Sequence, residues 1–568
     1  MKASAARRID ILTALLIGAV TFGVSFLFAL RGVDPHHQGF LLKSAVDVSR
    51  GLALYSETFT QYGSLAVYLL VPGIWLFGES IAAINAVTCL AYALCGMLLY
   101  RIVRRYANAV VAALCPLLAI GMAAFYFWNF HPWPSVFALL FSLVATECMI
   151  RFIESRKNVW IAACGAATAA MFWCRQPQGL SVLAGVLILA GLYAVGFDTG
   201  GGILKSLLFF VLGNLFVHAA LFAVLVIQGA VSDWWTQAIA NALAFAAEPT
   251  AETAAARPDS LWKIIFAGLN ENPRYDFVWR VLTYGTLLYF LILLGAAIAR
   301  AVRGRRRTRP DTALLGCIAF AAFALFNWPH YFPTLCYRHV FWSDYPMFGV
   351  LGVALYQAAG LLAAGCAAAR GRGEGLMDAA AAARAMGGKR RAACTALVCA
   401  LLLALCAGNL LLRARIGKSR LTGGGNGAAF HTIEAAEQDT LVRYQNDAYG
   451  YLNGLYLSAR ETRFYDGLFD ALSQLQARYP EKNIVNLTPN ALFSVFTSEN
   501  PHLRPFDNDP RDFGYPEQMD VTKAYIEQNR PIVIAHEPLP GYEAAAYLTD
   551  FNGDSWRFAP FYVLEPLQ

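Results

Sequence analysis

Long apolar runs recur along most of this 568-residue chain and constrain its fold more than any other feature. A helix needs about 20 apolar residues to cross roughly 30 Å of hydrocarbon, and open strands would leave backbone polar groups unsatisfied in lipid. The runs therefore predict an α-helical polytopic membrane protein with about eleven transmembrane helices. The predicted spans are 11–30, 78–100, 108–127, 134–153, 159–174, 179–196, 203–228, 276–299, 312–328, 345–366 and 393–412.

Composition divides the chain into two regions. Only 15% of its residues are charged, whereas a soluble protein carries about a quarter, and the deficit lies in residues 1–412. Residues 413–568 have an ordinary soluble composition and show α/β signals: strand-like 483–487 and 531–535, an amphipathic helix over 463–479, and a helix from about Asn490. We predict a transmembrane domain over 1–412 and a soluble α/β domain over 413–568.

The net charge of +7 is a topology signal and does not indicate nucleic-acid binding. Basic residues cluster beside alternate apolar runs, and short basic loops stay cytoplasmic. The first run follows a basic start and is too long for a cleaved signal peptide, so we predict a retained span with the N-terminus inside. The segments predicted outside are 31–77, 128–133, 175–178, 229–275, 329–344 and everything after 412.

The twelve cysteines all lie between Cys89 and Cys406, nearly all within apolar runs. Neither a disulfide framework nor a CxxC metal motif is present. They are interpreted as small apolar side chains in helix packing.

Ionisable residues gather in the predicted external loops. Ionisable groups facing a cavity at a membrane boundary are functional candidates, and here they come from four different loops. The sequence therefore predicts one polar cavity on the external side. Its members include Asp34, His36, His37, His131, Arg175, His330, Arg338, His339 and Asp344.

The first external segment carries the most specific pattern. It begins Arg31-Gly-Val-Asp34-Pro35-His36-His37, continues as a predicted interfacial helix over 41–54, and reaches Gln61-Tyr62-Gly63-Ser64-Leu65 and then Phe77-Gly78 before the second span. This order resembles that of the GT-C glycosyltransferases that use polyprenyl-phosphate sugars, such as the aminoarabinose transferases and protein mannosyltransferases of the family 39-like group. The resemblance covers about residues 11–180, and the layout of spans agrees to about 412.

Two departures from the family pattern concern the site. The family usually carries Asp-Glu where this chain has Asp34-Pro35, followed by two histidines. Many members also have a basic residue where this chain reads Gln61-Tyr62. Contacts to the donor phosphate must then come partly from elsewhere.

The resemblance implies a transferase that moves a sugar from a polyprenyl-phosphate carrier to a glycan, lipid or protein acceptor. It also implies a multi-pass protein of the bacterial inner (plasma) membrane, with the C-terminal domain periplasmic or extracytoplasmic. Partners would be the lipid-linked donor, the acceptor and the bilayer, without nucleic acid.

The residue types suit this chemistry. Glycosyl transfer needs a base for the acceptor hydroxyl, and Asp34 is the candidate. Guanidinium groups bind phosphate oxygens bidentately, so Arg175 and Arg338 are assigned to the donor phosphate, with His339 as an added donor. The remaining cavity residues are His36, His37, Lys43, Gln61, Tyr62 and His131.

Alternatives remain open at this point. Asp34, His36 and His37 are also compatible with a divalent cation. Adjacent histidines rarely bind one metal together, however, and no third ligand has a recognisable spacing. A transporter or flippase for an amphipathic or lipid-linked solute is the second functional hypothesis, but neither an internal repeat nor midplane charges are evident. A membrane-anchored binding or assembly protein is the third.

Overall fold

The computed structural model describes residues 2–123, 130–197, 202–241, 243, 273–302, 311–331, 337–368, 388–422, 441–488, 490–496, 516–548 and 561–567. Most of the first 422 residues among these are helical. The helices are α1 (Lys2–Ala29), α2 (His37–Ser49), α3 (Ser64–Phe77), α4 (Ile81–Arg104), α5 (Ala109–Ala123), α6 (Pro134–Ser155), α7 (Asn158–Cys174), α8 (Ser181–Ala194), α9 (Gly202–Ile227), α10 (Pro273–Val302), α11 (Thr312–Leu325), α12 (Tyr337–Ala368) and α13 (Gly388–Thr422). A short helix, Val231–Trp234, runs on as a π-helical segment, Trp235–Ala240.

Within the described part of the chain, nine helices are long and apolar enough to cross a membrane. They coincide with nine of the predicted spans. Helices α5 and α7 occupy the other two predicted positions and are apolar but shorter. The last predicted span ends at residue 412, whereas α13 continues to Thr422.

Glycine allows two of these helices to cross closely. A Cβ atom on Gly165 of α7 would lie 1.9 Å from the carbonyl oxygen of Phe210, and one on Gly213 of α9 would lie 1.9 Å from that of Ala162. Small residues at such crossings let helix backbones approach in membranes. This contact fixes α9 against α7, the helix that leads directly to Arg175.

The chain breaks its helical path between α7 and α8. Helix α7 ends at Cys174, Arg175 is extended at φ −146°, and a 3₁₀ helix spans Gln176–Leu180. Pro177 lies in the first turn of the 3₁₀ helix, where its missing N–H is tolerated. The break lies between the predicted spans 159–174 and 179–196, and it presents Arg175 at the end of α7.

The first external segment contains more helix than predicted. The interfacial helix predicted over 41–54 is found at His37–Ser49, and most of its residues are buried. It packs against α3 and α4. The segment predicted as external up to residue 77 includes α3, an apolar helix of 14 residues. The sequence analysis did not mark α3 as a helix because its 14-residue apolar run is too short to register as a span.

The C-terminal region forms two small sheets with helices. Strands β1 (Val442–Arg443) and β2 (Tyr456–Leu457) pair antiparallel, and a four-stranded sheet has the order β3-β4-β6-β5. Its strands are β3 (Ile484–Asn486), β4 (Ile532–Ala535), β5 (Tyr542–Leu548) and β6 (Phe561–Pro566), and the helices are α14 (Ala459–Arg478), α15 (Ala491–Phe496) and α16 (Pro516–Asn529). Strands β3 and β4, both expected from the sequence, are parallel. Ser458 and Glu461 form a capping box that starts α14 four residues before the predicted position.

The C-terminal region is bonded to the backbone that follows α1. Tyr456 N–H donates to Leu30 O at 2.7 Å, Gly32 N–H donates to Tyr456 O at 2.9 Å, and Leu492 N–H donates to Pro35 O at 2.8 Å. Helix α15 packs against α2, and buried residues of both regions belong to one continuous apolar core. The C-terminal region therefore holds the segment that carries Asp34.

Candidate functional site

Asp34 is buried at the N-terminal end of α2. Its Oδ1 accepts hydrogen bonds from the backbone N–H groups of His36 (3.0 Å) and His37 (3.2 Å), and its Oδ2 lies 2.6 Å from His37 Nδ1. Its own N–H donates to Gln38 Oε1 at 2.9 Å. A carboxylate at a helix N-terminus is stabilised by the N–H groups and the helix dipole. The first turn of α2 therefore fixes the position of this carboxylate.

The turn before α6 approaches Asp34 from a second direction. His131 Nδ1 lies 3.9 Å from Asp34 Oδ2, and the ring of Trp133 lies 4.8 Å from that of His37. Both side chains are buried. The segment before α6 thus contributes His131 and Trp133 to the surroundings of Asp34.

Arg175 contacts the same turn from the opposite end. Its Nη1 donates to Ser135 Oγ, and its Nη2 donates to His330 O at 3.4 Å. The Arg175 residue is 9% exposed. The residues from His131 to Ser135 therefore connect the carboxylate of Asp34 with the guanidinium of Arg175.

Two more histidines lie beyond Arg175. The ring of Trp342 on α12 is 5.8 Å from Trp133, 6.4 Å from His330 and 5.7 Å from His339. Its indole N–H donates to Tyr92 OH at 2.9 Å, which fixes the ring against α4. Aromatic and imidazole rings in tilted contact thus extend from His37 through Trp133 and Trp342 to His339.

The structure brings together Asp34, His36, His37, His131, Arg175, His330 and His339, which come from four predicted external loops. Arg338 lies on α12 next to His339, but its side chain is outside the described part of the structure. Asp344 is further along α12, buried, and its Oδ2 accepts a hydrogen bond from Thr283 at 3.2 Å.

The other three predicted cavity residues have different surroundings. Lys43 Nζ lies 2.6 Å from Asp47 Oδ1, one turn along α2. Gln61 O accepts a hydrogen bond from Gln176 Nε2 at 3.2 Å, which joins the loop before α3 to the 3₁₀ helix after Arg175. Tyr62 O accepts from Tyr55 OH at 2.6 Å.

The C-terminal region also contributes to the site. Tyr465 of α14 is fully buried, and burial raises the pKa of its hydroxyl well above the usual value. The negative charges of Glu461 and Asp34 raise this pKa further. Tyr465 is therefore a neutral hydroxyl within electrostatic reach of the Asp34 carboxylate.

The sequence did not single out Ser135, Trp342 or Tyr465. Ser135 follows Pro134 at the start of an apolar span, and Trp342 lies beside the predicted Arg338-His339 pair. Ser135 follows a predicted loop that contains His131, and Trp342 lies in one that contains His330 and His339, so each position had a usable signal. Tyr465 gave none, because its proximity to Asp34 depends on long-range packing of the C-terminal region.

A metal site is not evident in the described residues: no group of three or more His, Cys, Asp or Glu side chains there could hold an ion. The arrangement provides the buried carboxylate of Asp34, which is bonded to the imidazole of His37. The guanidinium of Arg175 lies at the other end of the turn from His131 to Ser135. Such a pairing can take up a proton at one end and stabilise a departing anion at the other.

Comparison with known proteins gives one family match. Residues 64–245 match the model of the family described as dolichyl-phosphate-mannose-protein mannosyltransferase. The matched range runs from the start of α3 into the residues after the π-helical segment and includes Arg175. None of the curated proteins matches the chain in sequence.

Solved structures give the fold. The apo crystal structure of ArnT from Cupriavidus metallidurans superposes with a TM-score of 0.52 at 14% identity, covering 99% of this chain and 98% of that one. The same protein bound to undecaprenyl phosphate gives 0.49 at 15% identity, with 98% and 97% covered. The arabinosyltransferase EmbB from Mycobacterium smegmatis gives 0.40 at 14% identity, with 77% and 45% covered.

These findings confirm the predicted fold class, a GT-C-like helical membrane protein with a C-terminal α/β region. The family match over residues 64–245 also confirms the predicted resemblance to GT-C glycosyltransferases.

Proposed function

We propose that this chain, a membrane glycosyltransferase of the GT-C type, transfers a sugar from a polyprenyl-phosphate carrier to an acceptor on the extracytoplasmic face. One observation carries the proposal: Asp34 and Arg175 contact opposite ends of the same turn, from His131 to Ser135. Both residues are buried, and they come from segments more than a hundred positions apart in sequence.

The proposed reaction uses the two charges in different steps. Asp34 acts as the general base toward the acceptor hydroxyl, whose oxygen then attacks the anomeric carbon. The bond between that carbon and the phosphate oxygen breaks, and the lipid phosphate leaves with the electron pair. Arg175 stabilises the charge that develops on this phosphate, as a preorganised cation does in a partly desolvated site.

The remaining assignments belong to the same proposal. Arg338 and His339 at the start of α12 add contacts to the donor phosphate, and His36, His37, Gln61, Tyr62, His131 and Lys43 line the substrate cavity. The membrane part, 1–412, holds the donor, and residues 413–568 lie on the extracytoplasmic side of the bacterial inner membrane with the N-terminus in the cytoplasm.

Sugar transfer by the purified protein tests this function. The protein in lipid nanodiscs is given radiolabelled polyprenyl-phosphate sugars and candidate lipid, glycan and peptide acceptors. We expect the label to pass to an acceptor with the wild type and not with Asp34→Asn. Full transfer by Asp34→Asn would remove the assigned base. Movement of an intact lipid-linked sugar across the bilayer, without cleavage of any donor, would favour a flippase.

A further inference from the structure

The side chain of Asp34 makes a short contact with His37, a neighbour in its own segment. The separation of 2.6 Å between Asp34 Oδ2 and His37 Nδ1 is that of a strong hydrogen bond. When Asp34 is ionised, its carboxylate only accepts hydrogen bonds, and the imidazole Nδ1 then carries the proton. In the neutral ring the other nitrogen, Nε2, then has a lone pair.

The two partners differ in exposure. The Asp34 side chain is 2% exposed, whereas that of His37 is 15% exposed. The Oδ1 atom of Asp34 already accepts the N–H groups of His36 and His37. An acceptor hydroxyl therefore reaches the imidazole of His37 more readily than either carboxylate oxygen.

We infer that His37 is the group that takes the proton from the acceptor hydroxyl, with Asp34 as the positioning residue behind it. This inference rests on the proposed function and changes its first step, in which His37 replaces Asp34 as the base. The acceptor O–H proton passes to His37 Nε2 while the acceptor oxygen bonds to the anomeric carbon. The bond from that carbon to the phosphate breaks, the lipid phosphate keeps the electron pair, and Asp34 Oδ2 accepts the Nδ1–H of the resulting imidazolium.

The surroundings of the pair suit this role. Titratable groups close to the pair include His36, whose ring lies 4.6 Å from that of His37, and His131, at 3.9 Å from Asp34. Tyr465 of α14 is within electrostatic reach of Asp34. Helix α15, which packs on α2, has no titratable side chain between Ala491 and Phe496. Asp34 is thus the acidic group in this set that stabilises a positive charge on His37.

Kinetics with His37→Gln and His37→Ala test the inference. We expect His37→Gln to lower kcat about 100-fold or more, the usual worth of a general base, with polyprenyl-phosphate affinity within about threefold of the wild type. Wild-type activity should rise with pH as the imidazole of His37 loses its proton, and His37→Gln should lack this rise. Added imidazole should partly restore His37→Ala. His218→Gln, a mid-span histidine that pairs with Trp173, is the matched control and should retain wild-type activity.

A measurement that needs no turnover separates this inference from the proposed function. Histidine C2 hydrogen–deuterium exchange, read by mass spectrometry, gives the pH at which His37 is half-protonated. We expect Asp34→Asn to lower this pH by about one unit or more, since the variant loses the adjacent negative charge. An unchanged half-protonation pH, or His37→Gln with wild-type kcat and pH profile, would overturn the pair while leaving sugar transfer intact. If the half-protonation pH shifted clearly but the wild type transferred no sugar, the proposed function would be refuted and the pairing of Asp34 with His37 would stand.

Discussion

Arg175 illustrates how one residue is positioned by the break of a helix. It lies just past the end of α7 in an extended conformation, and its guanidinium is held by Ser135 of α6 and the carbonyl of His330. A planar guanidinium fixed on two sides presents its donors in a defined direction. The break of the helix before the 3₁₀ turn thus holds the Arg175 guanidinium in one position.

Arg175→Lys tests this geometry without removing the charge. The ammonium of lysine cannot form the bidentate contact, so we expect the KM for the lipid-linked donor to rise about tenfold or kcat to fall by a similar factor. Steady-state kinetics with donor and acceptor varied separately give the answer. An equal loss toward both substrates, or none, contradicts the assignment to the donor phosphate.

Lys43 gives a prediction about stability. Its partner Asp47 is completely buried, and removing one member of a buried ion pair costs about 3–5 kcal/mol. We expect Lys43→Met to lower the Tm strongly and Lys43→Met with Asp47→Leu to recover most of it, as measured by thermal unfolding in detergent. An unchanged Tm together with a raised donor KM would instead support the cavity role.

At the scale of elements, the docking of α15 on α2 determines where the segment that carries Asp34 lies. A Cβ on Gly39 of α2 would be 2.1 Å from Leu492 N and 2.6 Å from Leu492 Cβ. Only glycine at this position allows the backbone of α15 to reach Pro35 O. The contact ties residues from opposite ends of the chain to the turn that bears Asp34.

Gly39→Ala should therefore separate the two elements. Alanine favours an isolated helix over glycine by about 1 kcal/mol, so any loss of stability must come from the clash. We expect a lower Tm, faster proteolysis of the C-terminal region and at least a tenfold loss of transfer. Gly191→Ala in α8, where a Cβ meets nothing within 4 Å, should behave as wild type. Equal proteolysis of the two variants would show that α15 does not depend on this contact.

The sequence predicted the elements better than their contacts. Apolar length located the long helices, and loop position alone collected Asp34, Arg175 and the histidines on one side. The start of α2 at His37 was missed because Asp34 was considered for chemistry and not as the acceptor for the first N–H groups of the helix. The approach of Leu492 and Tyr465 to Asp34 joins residues more than 400 positions apart, and local patterns carry no signal for such packing.

At the scale of the whole molecule, the charges separate toward two ends. Glu147 of α6 binds Arg105 and Arg151, each at 2.7 Å, near the loops predicted to be cytoplasmic. The group around Asp34 lies near the N-terminal end of α6, beside the turn that contains His131. Salt-bridged arginines at one face and the site at the other are what the proposed orientation requires.

Labelling with a membrane-impermeant maleimide tests that orientation. Glu543→Cys, exposed on β5, and Lys389→Cys, exposed at the start of α13, provide one probe on each predicted side. In intact spheroplasts we expect only the Glu543→Cys protein to be labelled, with Lys389→Cys labelled after permeabilisation. The parent protein gives the background from native cysteines. The reverse pattern would place the C-terminal region in the cytoplasm.

A cryo-electron microscopy map of the protein in nanodiscs with bound polyprenyl phosphate tests the central claim most directly. We predict phosphate density within hydrogen-bonding distance of the Arg175 guanidinium, with the Asp34–His37 pair facing it across the cavity beside His131. A phosphate seated elsewhere, such as among the arginines around Glu147, with Arg175 still bound only to Ser135 and His330, would contradict the account.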